Sequence, residues 1–296
     1  MILGVTGATG FVGRHFTRYA AGEGHTVIAY SRQNGAVVPG ASDMRPWPAG
    51  SPPDLSGLDA LIHLAGESVL GRWTTAKKQR IRASRIDSTR RIVEALATQP
   101  HPPAAFISAS GVSYYGDAGS RELTENAPPG HGFLAEVSQA WEHEAGKARA
   151  HGVRVAHARF GMVLGPDGGA WPLLRTIFRA GLGGRLGSGR QWLPWIHIDD
   201  AVRLLLTAAT DLRCEGPLNA VSPTPITNRE FTRLLAQAIK RPALLPAPAF
   251  ALKLILGEQA SMLLDSQRVL PEKALACGFT FQFPDLAQAL RHLAQA

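Results

Sequence analysis

The sequence predicts an α/β fold, a doubly wound parallel sheet followed by a smaller C-terminal lobe, from three observations. Short apolar runs alternate with helix-length segments, a glycine-rich turn follows the first run directly, and the later chain changes character. The runs lie at residues 2–6, 26–30, 60–65, 104–108 and 153–159, with helical patterns between most of them. Strands alternating with helices imply crossover connections, which make neighbouring strands parallel and cover both faces of the sheet. Beyond them come a Gly-rich stretch at 181–189, Pro-rich turns at 223–225 and 242–248, and helical segments after Thr227. Thr227 and Glu230 stand at the spacing of a capping box that opens a helix running toward Ile239. The expected division is a sheet domain, 1–163 with about 196–221, and a smaller lobe, about 164–195 and 222–296.

With 296 residues, 45% of them hydrophobic, the chain can bury a substantial core. Met1 leads into a strand-like run with no basic flank and no cleavage pattern, so no signal peptide is expected. No apolar run approaches the ~20 residues of a membrane helix. Only Cys214 and Cys277 are present, which argues against a disulfide framework or a cysteine zinc site. The ten histidines show no ligand spacing with acids or cysteines, so no metal is expected either. The expectation is a soluble cytoplasmic protein, monomeric or homodimeric, acting on a small molecule. A formal charge of +8 fits a nucleic-acid surface or a site for small anions. The basic residues are spread out, apart from one patch between Lys77 and Arg91, and no nucleic-acid motif or basic tail accompanies them. That distribution favours a solvated basic surface plus an anion site, with neither nucleic acid nor membrane as partner.

The first run enters Gly7-Ala8-Thr9-Gly10-Phe11-Val12-Gly13, and a helical pattern then continues to about Gly22. Glycines at 7, 10 and 13 suit a tight strand-to-helix turn whose backbone can approach a pyrophosphate at the helix N-terminus. A dinucleotide-binding (Rossmann) domain is the expectation. The second strand bears on which dinucleotide. An NAD site places an acid about 20 residues past the glycines to hold the ribose hydroxyls, but here the strand ends Tyr30-Ser31-Arg32. A hydroxyl and a guanidinium suit a 2′-phosphate, so NADP(H) is predicted.

Further motifs are His63-Leu64-Ala65-Gly66-Glu67, Arg72-Trp73 with Ser84-Arg85, Ser108-Ala109-Ser110 with Tyr114-Tyr115-Gly116, residues 161–166, and 187–192 running on to 195–200. With these the chain resembles the extended short-chain dehydrogenase/reductase superfamily, sugar-nucleotide epimerases included. It is most similar to an atypical branch of epimerase-like NADP-dependent oxidoreductases, some of whose bacterial members are labelled cell-division inhibitors. The resemblance implies that Leu64, Ala65 and Gly66 line the adenosine and pyrophosphate side of the cofactor. It also places Ser108 against the cofactor and the backbone near Met162 and Val163 at the nicotinamide amide. Ser110 would bond the substrate's oxygen, and Phe133, Arg190, Trp192, Trp195 and His197 would line a substrate pocket between the lobes. Residues from about 249 to 296 resemble a short C-terminal domain peculiar to the branch.

The residues add constraints of their own. A long helix is expected over 74–99, with Ile81, Arg85, Ser88 and Ile92 at i, i+4, i+7 and i+11. Arg85 therefore shares a face with buried isoleucines and needs an anion, either the cofactor's phosphates or an internal carboxylate, unless it snorkels to solvent. Lys77, Lys78 and Arg82 read as a solvated face. Alternation over 195–199 puts Trp195, His197 and Asp199 on one face, with Asp199 read as the cap of the helix that follows. His197 is open between holding substrate and a local structural bond.

The superfamily's proton chemistry is missing from its usual place. A tyrosine with a lysine four residues on is expected on the helix near 133, yet those positions hold Phe133 and Val137. The four tyrosines, 19, 30, 114 and 115, are followed at i+4 by Glu23, Asn34, Ala118 and Gly119. No dyad exists anywhere in the chain. The remaining proton donors are Tyr114, Tyr115, Glu136 or water. The choice at this point is between an oxidoreductase with relocated acid/base chemistry and a non-catalytic NADP(H)-binding regulatory protein; nucleic-acid binding through the basic helix is a distant third.

Overall fold

A computed structural model describes residues 1–296 except Asn34, Ala49 and Ala296. Its main sheet has seven parallel strands: β1 (Ile2–Thr6), β2 (Thr26–Ser31), β3 (Asp43–Pro46), β4 (Ala60–His63), β5 (Ala105–Gly111), β6 (Arg154–Phe160) and β7 (Gly216–Ala220). They lie in the order β7-β6-β5-β4-β1-β2-β3. The order reverses between β1 and β4, which opens a crevice at their carboxyl ends. Five strands fall where the apolar runs predicted them; β3 and β7, short and proline-containing edge strands, carry no such run.

Alternation along the strands explains the two layers. Leu3, Val5, Val27, Ala29, Ile62 and Ile107 point to one face and pack under α1 (Phe11–Gly22). The helix over Ile198–Thr210 covers the same face. Ile28, Tyr30, Leu61, Phe106 and Val155 point to the other, under α2 (Thr75–Thr98) and α3 (Phe133–Gly146). Thr74 caps α2 by accepting the Lys77 N–H at 3.2 Å. A polar seam runs through this second layer. His63 touches Thr6 Oγ1 at 2.6 Å and Thr89 Oγ1 at 3.1 Å, and the Trp141 indole N–H donates to the same Thr89 oxygen. Burial, with Arg85 adding to it, pushes the His63 pKa down to about 3, so its ring is neutral and bonds as a small polar wedge.

A third core lies beside the sheet. It gathers Leu164, Trp171, Phe178, Trp195, Phe231, Leu235, Phe283 and Leu290 between α4 (Trp171–Arg179), α6 (Asn228–Ile239) and α8 (Leu286–Gln295). Helix α6 starts at the capping box, with the Thr227 side chain accepting the Glu230 N–H at 3.4 Å. Helix α5 (Ile198–Thr210) joins this core to the sheet, and α7 (Ala249–Leu256) begins the C-terminal segment. Cys214 and Cys277 are buried free thiols, Cys214 Sγ donating to Cys277 Sγ at 3.4 Å. Among the described residues no helix is long and apolar enough to cross a membrane.

Candidate functional site

Strand β1 ends at the crevice and turns at once into α1. Gly7 sits at φ 68°, and a Cβ there would lie 2.7 Å from Ala65 N and Leu64 C. A Cβ on Gly13 would lie 2.2 Å from Gly7 O, so the first turn of α1 presses onto the loop as only glycine allows. Gly10 is the helix N-cap, donates to Gly7 O at 2.9 Å, and offers no side chain to the N–H groups behind it. Thr9 and Gly10 are exposed and Val12 half-buried, leaving a helix N-terminus facing the crevice that suits a phosphate. Phe11 gives its backbone to the same turn, but its ring packs into the Gly165–Gly169 turn, where a Cβ on Gly168 would lie 2.2 Å from it.

Ser31 and Arg32 lie at the carboxyl end of β2, one strand from the loop; the Ser31 hydroxyl accepts the Gln33 N–H at 3.0 Å, and Arg32 is exposed. Across the loop, Leu64, Ala65 and Gly66 follow β4, with the Leu64 N–H bonded to Thr6 O at 3.1 Å. Arg85 reaches them from α2. Its Nη1 donates to Glu67 O at 3.0 Å and Ile81 O at 3.2 Å, and its Cζ is 5.2 Å from the Trp141 ring centre. The nearby Glu67 carboxylate is taken by Lys77 at 2.7 Å, so among the described residues Arg85 has carbonyl partners but no ion pair. Burial lowers its pKa to about 10, which leaves it charged at neutral pH. This set fits a dinucleotide: a glycine turn, a free helix terminus and a cation with only neutral partners converge on one crevice.

The other side of the crevice, at the ends of β5 and β6, is dominated by a residue pair not singled out from the sequence. Arg159 and Glu142 form a buried, two-pronged ion pair, Nε to Oε1 at 2.8 Å and Nη2 to Oε2 at 2.7 Å. Desolvation opposes the charge on Arg159, but the Glu142 carboxylate outweighs it and holds the guanidinium pKa above its ordinary value. Ser110 donates to Glu142 Oε1 at 2.7 Å. Arg159 Nη1 donates to the Tyr115 hydroxyl at 2.8 Å, and that hydroxyl also reaches Asn219 Oδ1 at 2.7 Å. Burial pushes the Tyr115 pKa up to about 12. Beneath it, Glu125 accepts from the backbone N–H of Asn219 at 3.0 Å.

This separates the two tyrosines. Tyr115 is 1% exposed and belongs to the core network, its hydroxyl taken up by Arg159 and Asn219. Tyr114 is half-buried and lies with its ring 3.5 Å from Arg159 Cζ, on the outer side of the network. Ser110 is close to the crevice but buried, its proton committed to Glu142. Ser108 is fully buried and bonds Ala109 O. Glu136 is exposed on the first turn of α3. Phe133 begins that helix, edge-on to Trp73 at 5.2 Å and with Lys78 Nζ 5.2 Å from its ring centre, while Val137 points into the core.

The residues expected at the pocket mouth part company. Met162 and Val163 are half-buried in a strand, Met162–Gly165, that runs parallel to Trp195–His197. Trp192 is half-buried with Arg268 over its ring at 4.7 Å, and Arg190 is exposed. Trp195 and His197 share a face, as alternation requires, but that face points into the third core and not into a pocket. His197, not Asp199, caps α5, its Nδ1 accepting the Asp199 N–H at 3.2 Å. Arg159 and Glu142 were open to the argument used for Arg85: Arg159 lies within a buried strand, and Glu142 lies at i+7 from Ala135 and i+4 from Ser138, both buried.

Residues 3–220 match the NAD dependent epimerase/dehydratase family, and residues 247–293 match a domain of unknown function (DUF1731). The chain is 37% identical to the epimerase family protein YfhF of Bacillus subtilis over 99% of its own length and 98% of the relative's. The crystal structure of human epimerase family protein SDR39U1 with NADPH superposes with a TM-score of 0.91 at 35% identity, covering 100% of this chain and 99% of the human one. A nucleoside-diphosphate sugar epimerase from Corynebacterium glutamicum gives a TM-score of 0.80 at 35% identity, covering 99% of this chain and 58% of that one. The glycine loop, the strand order and these matches agree, and the chain belongs to the NAD dependent epimerase/dehydratase family.

Proposed function

We propose that the protein is an NADP(H)-dependent oxidoreductase of the extended short-chain type, acting on a carbonyl or alcohol, with Tyr114 in the acid/base role. The observation that carries this reading is that the glycine turn after β1 and Tyr114 after β5 open onto the same carboxyl edge of the sheet, with β4 between them. The NADPH bound by the human relative supports the choice of nucleotide. In this reading the N-terminus of α1 and Arg85 bind the pyrophosphate, and Ser31 with Arg32 binds a 2′-phosphate. When bound, the cofactor supplies or accepts a hydride. Tyr114 holds the proton exchanged with the substrate oxygen, and the Arg159–Glu142 pair fixes its ring. Phe133 and Trp73, where the family's usual tyrosine would begin the helix, form an apolar wall that excludes water. The third core and the C-terminal segment provide the substrate lobe, the division expected from the sequence.

A second reading, a non-catalytic NADP(H)-binding regulatory protein, is favoured by one observation: Ser110 and Tyr115 are both locked into buried bonds. One experiment separates the two. Stereospecifically deuterated NADPH is incubated with the protein and a broad carbonyl library, with Gly10→Val as control. Label transfer above the control, lost in Tyr114→Phe, supports the enzyme; NADPH binding without transfer across the library supports the regulator.

A further inference from the structure

Outside the crevice, three residues that are distant in sequence or belong to different elements converge. His197 ends the strand Trp195–His197, Asp199 lies in the first turn of α5, and His292 lies in the last turn of α8. Each offers one ligand atom, and all three atoms lie within 4.8 Å of one another. His197 is 1% exposed, yet its Nε2 has no hydrogen-bond partner among the described residues. Its other nitrogen makes only the 3.2 Å bond from Asp199 N–H and lies 3.4 Å from Asp199 Oδ2. Phe283 closes one side of the ring at 4.0 Å between centroids, and the exposed His292 stands edge-on at 5.5 Å. With its ring proton on Nδ1, facing Asp199 Oδ2 at 3.4 Å in place of the bond from the Asp199 N–H, the buried imidazole presents an unpartnered Nε2 lone pair, with a carboxylate beside it and a solvent-facing imidazole opposite.

We propose that His197, Asp199 and His292 bind a divalent transition-metal ion, with Zn2+ as the best fit. Two imidazoles and one carboxylate suit a borderline cation and not Mg2+ or Ca2+, which prefer all-oxygen shells. Three protein ligands leave a position for water on the exposed side. His292 belongs to the C-terminal segment and His197 to the strand paired with Met162–Gly165. The ion would thus clamp the last helix to the strand that borders the crevice. Spacing along the chain hides this site, because its third ligand comes from the far end of the sequence.

The test uses the full chain stripped with EDTA and dialysed. Calorimetric titration with Zn2+ is expected to give one saturable site, a rise in Tm, and visible d–d absorption when Co2+ replaces Zn2+. His292→Ala, an exposed change that leaves the core intact, and Asp199→Asn are expected to weaken that site by at least about tenfold and to remove the Tm rise. Wild type with no saturable site, or His292→Ala binding as tightly as wild type, overturns the proposal. MgCl2 in place of zinc is expected to leave Tm unchanged, and an equal rise would overturn the assignment to a transition metal.

Discussion

The Arg159 guanidinium lies 3.5 Å from the centre of the Tyr114 ring, while its N–H groups donate to Glu142, the Tyr115 hydroxyl and the Glu125 carbonyl. One cation therefore serves a buried network and an accessible phenol at once, and substitutions on its two sides should have different effects. Glu142→Gln strands a buried positive charge and is expected to cost about 3–5 kcal/mol, read as a fall in Tm or in the urea midpoint. Tyr114→Phe keeps the ring on Arg159 and is expected to change stability by less than about 1 kcal/mol. If Tyr114 exchanges the proton, the same variant lowers kcat by about 10²-fold or more.

Arg32 tests the choice of nucleotide. Arg32→Ala removes an exposed guanidinium beside Ser31 and is expected to weaken NADPH by about tenfold or more, roughly one charge-assisted bond, while leaving NADH affinity within about twofold. Calorimetric titration of both nucleotides checks this; an equal loss for both would assign Arg32 to general electrostatics.

Arg85 is predicted to matter more for binding than for folding. Its partners are carbonyl oxygens, so Arg85→Met leaves no carboxylate buried without a partner and keeps an aliphatic stem against Trp141. The expected result is a Tm within a few degrees of wild type and NADPH affinity reduced by about 10²-fold.

Two glycines of α1 should respond in opposite ways. A Cβ at Gly13 meets Gly7 O at 2.2 Å, whereas one at Gly22 meets nothing within 4 Å. Gly13→Ala is expected to abolish nucleotide binding and lower Tm. Gly22→Ala is expected to stabilise by up to about 1 kcal/mol through helix propensity, with binding intact.

Stability should fall in mild acid. His63 and His157 are buried, and burial pushes their folded pKa values down to about 3 and about 4, below the unfolded value near 6.5. Above pH 6.5 both states hold these rings neutral and the full stability is present. As pH drops, the unfolded chain takes up protons that the folded one refuses, so each histidine removes about 1.4 kcal/mol per pH unit until its folded pKa is reached. Urea unfolding between pH 7 and pH 4.5 measures the slope, and His157→Asn should reduce it.

Much of this arrangement is legible in the sequence because it follows from periodicity. Five strands, the long helix from Thr75, and the placing of Arg85 beside Ile81 and Ile92 all come from residue spacing that burial enforces. Edge strands such as Asp43–Pro46 escape, since an edge needs no apolar run. Tyr114 and Tyr115 are neighbours of one residue type, and only the position of Arg159 tells them apart. Alternation placed Trp195 and His197 together correctly but carries no information about which of two interiors their shared face meets.

Phe11 joins two turns that are far apart in the sequence. Its backbone opens α1 at the glycine turn, while its ring fills a gap left by Gly165, Gly168 and Gly169 at the end of the strand that holds Met162 and Val163. A strut of this kind ties the first turn of α1 to the turn after Gly165, so that the two cannot drift apart independently. A side chain larger or smaller than Phe11 would therefore be felt at both turns at once, since the three glycines leave no room for the one and no filling for the other.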